Sequence, residues 1–325
     1  GMSLNILIIG GCGYIGTHMV KALRAAGHQP ITLDNLSTGH RELLPGGDFV
    51  KGDIQDAVLL DNVFTTYAVD AVMHFAALIE VGESVQQPLK YYRNNVAATA
   101  NLLEAMVRHG VKNFIFSSSA AVYGEPAYTP IDEAHPLAPT SPYGETKLYV
   151  ENMLKACDTA HGLKSICLRY FNAAGADPSA TIGERHDPES HLIPLVLQAA
   201  AGQRDRIHIF GCDYPTPDGT CVRDYIHVND LGAAHLLALD ALMAGSPSTV
   251  YNLGNGSGYS VRQVIETARR VTGRPIAVKE APRRPGDPAV LVASAGKARQ
   301  ELGWQPHRPD LEDIVHTAWN WHRRS

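Results

Sequence analysis

The run Leu4-Asn5-Ile6-Leu7-Ile8-Ile9 passes directly into Gly10-Gly11-Cys12-Gly13-Tyr14-Ile15-Gly16, and from there the apolar spacing becomes helical over residues 14–26. A strand apolar on both sides, followed at once by a glycine turn and a helix, fits a parallel sheet covered by helices on both faces. The glycines at 10, 13 and 16 follow GxxGxxG rather than GxGxxG. Without side chains the backbone turns tightly and can approach a pyrophosphate, while the helix N-terminus offers free N–H groups and its positive dipole end. Gly10, Gly13, Tyr14, Ile15 and Gly16 are therefore candidate dinucleotide contacts. The triplet alone also fits any tight strand–helix turn, so its surroundings must decide.

Those surroundings continue the pattern. Residues 30–33, 71–75, 113–117 and 165–170 read as further strands, with amphipathic helices over 91–109 and 143–161. Such alternation predicts an α/β fold, a Rossmann-type doubly wound parallel sheet. Asp34 closes the second strand at about the 20-residue offset expected of an acid that holds ribose hydroxyls. An acid there repels a 2′-phosphate, so NAD is expected over NADP. Asn35 adjoins it, Asp53 and Ile54 fit a loop beside the adenine, and Phe75, Ala76 and Ala77 fit a strand end over the cofactor.

After Asn172 the chain changes character. Proline and glycine crowd residues 176–188 and 211–220, and shorter elements follow. Long loops in a compact enzyme usually carry binding function. The expected division is a dinucleotide-binding domain over 1–172 and a smaller mixed α/β substrate lobe over 173–325, partly interleaved.

The strongest chemical signal is Tyr143-Gly144-Glu145-Thr146-Lys147, downstream of the strand end Ser117-Ser118-Ser119. Tyr143 and Lys147 share one helix face, about 6 Å apart along the axis. A free phenol titrates near ~10, too high for a base at neutral pH. A neighbouring ammonium and a positive nicotinamide ring would favour the phenolate and make Tyr143 a general acid or base. Ser119 can hydrogen-bond the reacting hydroxyl or carbonyl. Ser119, Tyr143 and Lys147 are the expected catalytic set.

Composition closes off other classes. A net charge of −5 provides no basic footprint for nucleic acid. No apolar run approaches the roughly 20 residues that a membrane helix needs. The first strand begins at Leu4, after a Gly1 that resembles a tag remnant, so no signal peptide is expected. The five cysteines are scattered, odd in number and without a CxxC, which points to reduced thiols in a cytoplasm and to no metal.

With these residues, the chain resembles the extended short-chain dehydrogenase/reductase family and, within it, its nucleotide-sugar 4-epimerase branch. The resemblance covers nearly the whole chain. It rests on the glycine turn and YxxxK, on Val81-Gly82-Glu83-Ser84, Tyr91-Tyr92-Arg93-Asn94-Asn95-Val96 and residues 113–119, and on Arg169-Tyr170-Phe171-Asn172. The blocks Asp213-Tyr214-Pro215-Thr216, Val222-Arg223-Asp224-Tyr225-Ile226-His227-Val228, Tyr251-Asn252-Leu253-Gly254 and Ala281-Pro282-Arg283-Arg284-Pro285-Gly286-Asp287 separate this branch from generic members. The resemblance implies that Asn94, Ser117, Tyr170 and Phe171 complete the NAD contacts. It also implies that Asn172, His191, Leu192, Phe210, Arg223, Arg284 and Asp287, with Ser119 and Tyr143, hold a UDP-sugar. Two rigid guanidinium forks suit a diphosphate.

The implied reaction inverts carbon 4 of a UDP-hexose, UDP-glucose or UDP-galactose, through a transient 4-keto sugar. A homodimer paired through the helices 91–109 and 143–161 is also implied. His191 stands where Asn is frequent, Ile79 where some members place Lys, and Leu291 where side-chain size bears on N-acetylated sugars. Uronic, pentose or N-acetylhexosamine substrates stay open. Dehydratases and decarboxylases of this kind carry carboxylates after the strand-end Ser/Thr, whereas Ser119-Ala120-Ala121-Val122-Tyr123-Gly124 has none. A non-catalytic NAD-binding regulator would typically lack Tyr143 or Lys147.

Overall fold

The computed structural model describes residues 2–325. It divides into two compact units, the first of residues up to Gly124 with Pro136–Arg169 and Gly232–Tyr251, the second of Glu125–His135, Tyr170–Leu231 and Asn252–Ser325. The chain thus passes between units at 125–135 and 232–251 as well as near the expected boundary after Asn172.

The larger sheet carries seven strands, β1 (Asn5–Ile9), β2 (Gln29–Asp34), β3 (Asp48–Lys51), β4 (Ala71–His74), β5 (Asn113–Ser119), β6 (Lys164–Tyr170) and β10 (Thr249–Leu253), in the order β10-β6-β5-β4-β1-β2-β3. Pairing from β3 through β2, β1 and β4 to β5 is parallel. Helices α1 (Tyr14–Ala25), α2 (Ala57–Thr66), α5 (Ala98–Arg108) and α6 (Pro142–His161) alternate with these strands. The Leu4–Ile9 run is buried almost throughout, as a strand covered on both faces must be. Strand order reverses at β1, between β2 and β4, and such a switch point is where ligands bind in open α/β sheets.

Residues 91–109 do not form one α-helix. Short helices α3 (Val81–Gln86) and α4 (Pro88–Tyr91) lead into a π-helical stretch, Tyr92–Ala97, before α5 begins. The wider π turn changes the helix phase, and such bulges occur frequently at functional sites. Helix α6 starts cleanly for local reasons. Ser141 Oγ accepts the Gly144 N–H at 3.1 Å, Pro142 occupies the first turn, and left-handed Gly162 ends the helix.

The second unit holds two smaller sheets. One contains β7 (Asn172–Ala174), β9 (Val222–His227), β11 (Gly258–Ser260) and β13 (Val290–Leu291); the other pairs β8 (Ile207–Phe210) with β12 (Val278–Ala281). Helix α7 (Leu192–Ala200) and, after α8 (Val228–Met243), helices α9 (Val261–Thr272), α10 (Gly296–Leu302) and α11 (Leu311–Arg324) complete it. Ile193, Val196, Val264, Ile314 and Trp319 belong to its separate apolar core. Asp224 organises this unit, its carboxylate accepting N–H bonds from Asn255, Gly256 and Ala293 at 2.9–3.1 Å.

Candidate active site

The turn after β1 is built by close approach. A Cβ on Gly10 would sit 2.8 Å from the Ala76 nitrogen, and one on Gly16 would sit 2.2 Å from the Gly10 carbonyl oxygen. At Gly13 the nearest atom to an added Cβ would be 3.5 Å away, so packing leaves that side of the turn open to a ligand. Helix α1 has no side-chain cap and no acid in its first turn, which leaves its positive end available. Tyr14 and Ile15 lie in that turn. Asp34 ends β2, buried, accepting N–H bonds from Cys12 at 3.0 Å and Leu36 at 2.8 Å. Asn35 donates to Asp53 at 3.1 Å, which brings the ends of β2 and β3 together. These residues fit an NAD adenosine and pyrophosphate.

Other proposed cofactor contacts have mixed environments. Ile54 is 6% exposed within the apolar core of the first unit, so its side chain is a core residue and its carbonyl is bonded by Asn101. Phe75 meets His235 in a tilted contact, with centroids 5.1 Å apart and planes at 43°, and Ala76 packs against the core. Asn94 donates to Asn95 at 2.7 Å. Asn95, missed in the sequence although adjacent, is the more deeply engaged. It accepts the Leu78 N–H at 3.0 Å, donates to the Leu78 carbonyl at 3.1 Å and reaches Thr146 at 3.3 Å. The π turn thereby pins the segment after β4 to α6. Tyr170 and Phe171 fall in the second unit.

Ser119, Tyr143 and Lys147 come together as expected. The Ser119 hydroxyl is near enough to the half-buried Tyr143 phenol to influence its titration. The Tyr143 backbone is fixed separately, its N–H bonded to Ser84 Oγ at 3.1 Å. Burial pushes the phenol's pKa up, the Ser119 hydroxyl pulls it down and the charge of Glu80 pushes it up again. The Lys147 ammonium, expected to dominate the phenol, lies 5.8 Å from the Tyr143 ring centroid and donates to the Ser117 carbonyl at 2.9 Å. Burial in turn lowers Lys147 to about 8, against a raising influence from Glu151. His74 stays neutral, pushed down to about 3 by burial and then by Lys147.

The helix spacing continues one turn beyond the motif. Tyr143, Lys147 and Glu151 recur every fourth residue on one face of α6, opposite Ser119, Ser117 and Ser118 of β5. Glu151 is 2% exposed, accepts the Ser118 hydroxyl at 2.6 Å and pairs with Arg169 Nε at 3.0 Å. Arg169 also bonds the Tyr123 hydroxyl at 3.0 Å. This buried network was absent from the sequence reading; the spacing of four from Lys147 to Glu151 was its available signal.

In the second unit the structure joins three of the expected substrate residues. The Arg284 guanidinium lies 4.7 Å from the Phe210 ring centroid, and its Nε donates to Asp287 at 2.9 Å. Phe210 stands at the end of β8, 39% exposed, with a face an aromatic base could use. Arg223 lies in the other sheet, in register with Leu291, its Nη1 on the Val222 carbonyl at 2.9 Å. Asn172 donates to the Asp224 carbonyl at 3.0 Å. Leu192 packs on the apolar core. His191 turns its Nδ1 to Glu184. Among the described residues no helix is long and apolar enough to cross a membrane.

The model of the NAD dependent epimerase/dehydratase family matches residues 6–254. A UDP-glucose 4-epimerase of Halalkalibacterium halodurans is 57% identical over 320 residues, covering 98% of this chain and 96% of that one. The UDP-glucose 4-epimerase of Brucella ovis, solved with NAD, superposes with a TM-score of 0.96 at 48% identity and covers 98% of each chain. That of Bifidobacterium longum, solved with NAD+ and UDP, gives 0.93 at 40% identity, again covering 98% of each.

Proposed function

The chain belongs to the NAD dependent epimerase/dehydratase family, and from that premise we propose that it interconverts UDP-glucose and UDP-galactose by inverting carbon 4. The observation that carries this reading is buried Lys147, its ammonium 5.8 Å from the Tyr143 ring and bonded to the Ser117 carbonyl at 2.9 Å, in the unit that holds Ser119, the glycine turn and Asp34. NAD, which the glycine turn with Asp34 and Asn35 would hold, would supply the reversible hydride chemistry at carbon 4.

The protein's part is proton transfer and position. Tyr143 takes the proton of the 4-hydroxyl and gives it back after the sugar has turned, while Ser119 holds the oxygen. Buried Lys147, supported by the charge of Glu151, is placed to present its ammonium beside the phenol. Net redox is zero, so one cofactor serves every turnover. In the second unit Phe210, Arg284 and Asp287, with Arg223 and Asn172, are assigned to the UDP moiety. The loop after Ser119 contains no carboxylate to eliminate water or assist loss of a carboxyl group. The test is turnover of UDP-galactose by purified protein without added NAD. Conversion to UDP-glucose is expected; NAD binding without conversion overturns the assignment.

The same family reading assigns a homodimer. Val81, Val85 and Leu89, on α3 and α4, and Tyr149, on α6, are 48–72% exposed. That apolar group suits a second copy of the first unit. Light scattering should give twice the chain mass, and a monomer removes the assignment.

A further inference from the structure

Within the second unit, residues 175–191 form a long connection between β7 and α7. Near its end Glu184, His186, Glu189 and His191 turn toward one another, and one donor atom from each lies within 4.8 Å of all the others. We propose that these four side chains form a binding site for a divalent cation of the zinc class, which fastens this connection ahead of α7.

The spacing of the donors carries the argument. Tetrahedral zinc with bonds of about 2.0–2.1 Å to imidazole nitrogen and carboxylate oxygen puts neighbouring donors about 3.4 Å apart. Here Glu184 Oε2 and His186 Nδ1 are 3.2 Å apart and His186 Nδ1 and Glu189 Oε2 3.6 Å. His191 Nδ1 is 3.9 Å from the other Glu189 oxygen, Oε1. No pair in a set of one donor per residue exceeds 4.8 Å, so a bound ion would draw the donors together. Glu184 Oε2 also meets His191 Nδ1 directly. The imidazole rings stand at 86°, with centroids 5.3 Å apart, so the two nitrogens approach the carboxylates from different sides.

Burial strengthens the case. The Glu184 and Glu189 side chains are only 8% and 5% exposed. Two carboxylates withdrawn from water on one loop need positive charge between them, which the paired His186 and His191 supply here and a bound cation would supply in their place. The surroundings also hold the donors in place. Trp321 Nε1 donates to the Glu184 carbonyl at 3.1 Å, and Glu189 Oε1 accepts the Ser190 and His191 N–H groups at 2.9 and 3.0 Å. Outer contacts of this kind orient metal ligands. Two imidazoles and two carboxylates without thiolate suit zinc rather than magnesium or calcium, which favour all-oxygen sites.

The test needs no substrate and stands independently of the epimerase reading. Full-length, tag-free protein is stripped with a chelator, desalted and titrated with zinc chloride. One equivalent per chain is expected to bind. The double variant His186→Ala, Glu189→Gln should bind at least about 100-fold more weakly, since losing an outer partner alone costs 10- to 100-fold. Circular dichroism and NAD content establish that the variant is folded. If it is not, cobalt(II) in the wild-type chain decides: visible bands of tetrahedral cobalt without thiolate charge transfer support the site. Absence of stoichiometric binding, equal binding by a folded variant, or thiolate bands from the cysteines overturns it.

Discussion

In the first unit the chemistry sits on the ends of buried regular elements, whereas in the second it sits on strand ends and long connections. Tyr143 and Lys147 are one helical turn apart, and their partners Ser117 and Ser119 lie on one strand end. Their geometry follows from helix pitch and strand direction, and little rearrangement is open to them. Phe210, Arg284 and Asp287 meet from β8 and a loop, and Arg284 and Asp287 are bonded to each other. That pair must exchange some of its mutual contact for the ligand's. The contrast suits a reaction in which proton transfer needs fixed atoms, while a UDP anchor tolerates adjustment.

The contrast sets the order of effects. Tyr143→Phe should retain NAD but lose about 100- to 10,000-fold in turnover, the usual worth of a general acid–base; steady-state rates with bound-cofactor absorbance check this, and near-native rates would remove Tyr143 from the chemistry. Glu151→Gln should leave Arg169 buried without its counter-charge and cost about 3–5 kcal/mol of stability, read from denaturant unfolding. An unchanged midpoint would show that the network does not support the site. Arg284→Ala is expected to raise KM for the UDP-sugar with little change in kcat. Losing one hydrogen bond to a charged group costs about 1.5–3 kcal/mol, and a fall in kcat alone would contradict an anchoring role.

The mildest effect concerns pH. Burial lowers Lys147 to about 8 in the native chain from the ordinary lysine value of 10.5. Between these values the unfolded chain binds a proton that the native chain does not, so this group makes stability rise with pH across that window. Unfolding of wild type and Lys147→Met should therefore differ in slope between pH 8 and 10.5, with the wild type gaining relative to the variant. Parallel profiles would mean that Lys147 is not depressed.

Legibility divided along the same line. The glycine turn, Asp34 at a strand end and the Tyr143–Lys147 spacing are local patterns, so they were readable. Asn95 stood beside a noted residue, but the phase change of the π turn selects it over Asn94 for the deeper contacts. Arg169 and Glu151 are 18 positions apart and Tyr123 is 46 from Arg169, so beyond the spacing of four that puts Glu151 on the Lys147 face, nothing local joins them. The Glu184 cluster has no cysteine spacing to mark it, and its donors converge only when the loop folds back.

The sequence by itself determined the alternation of strands and helices, the glycine turn and the Tyr143–Lys147 spacing, because strand period, helix pitch and glycine sterics act over a few residues. Only the tertiary structure decided which charges are buried, and so that Lys147 is depressed, that Glu151 and Arg169 pair in the interior, and that Phe210 meets Arg284. Desolvation and charge pairing depend on neighbours that the chain supplies from far away, and no local pattern encodes them.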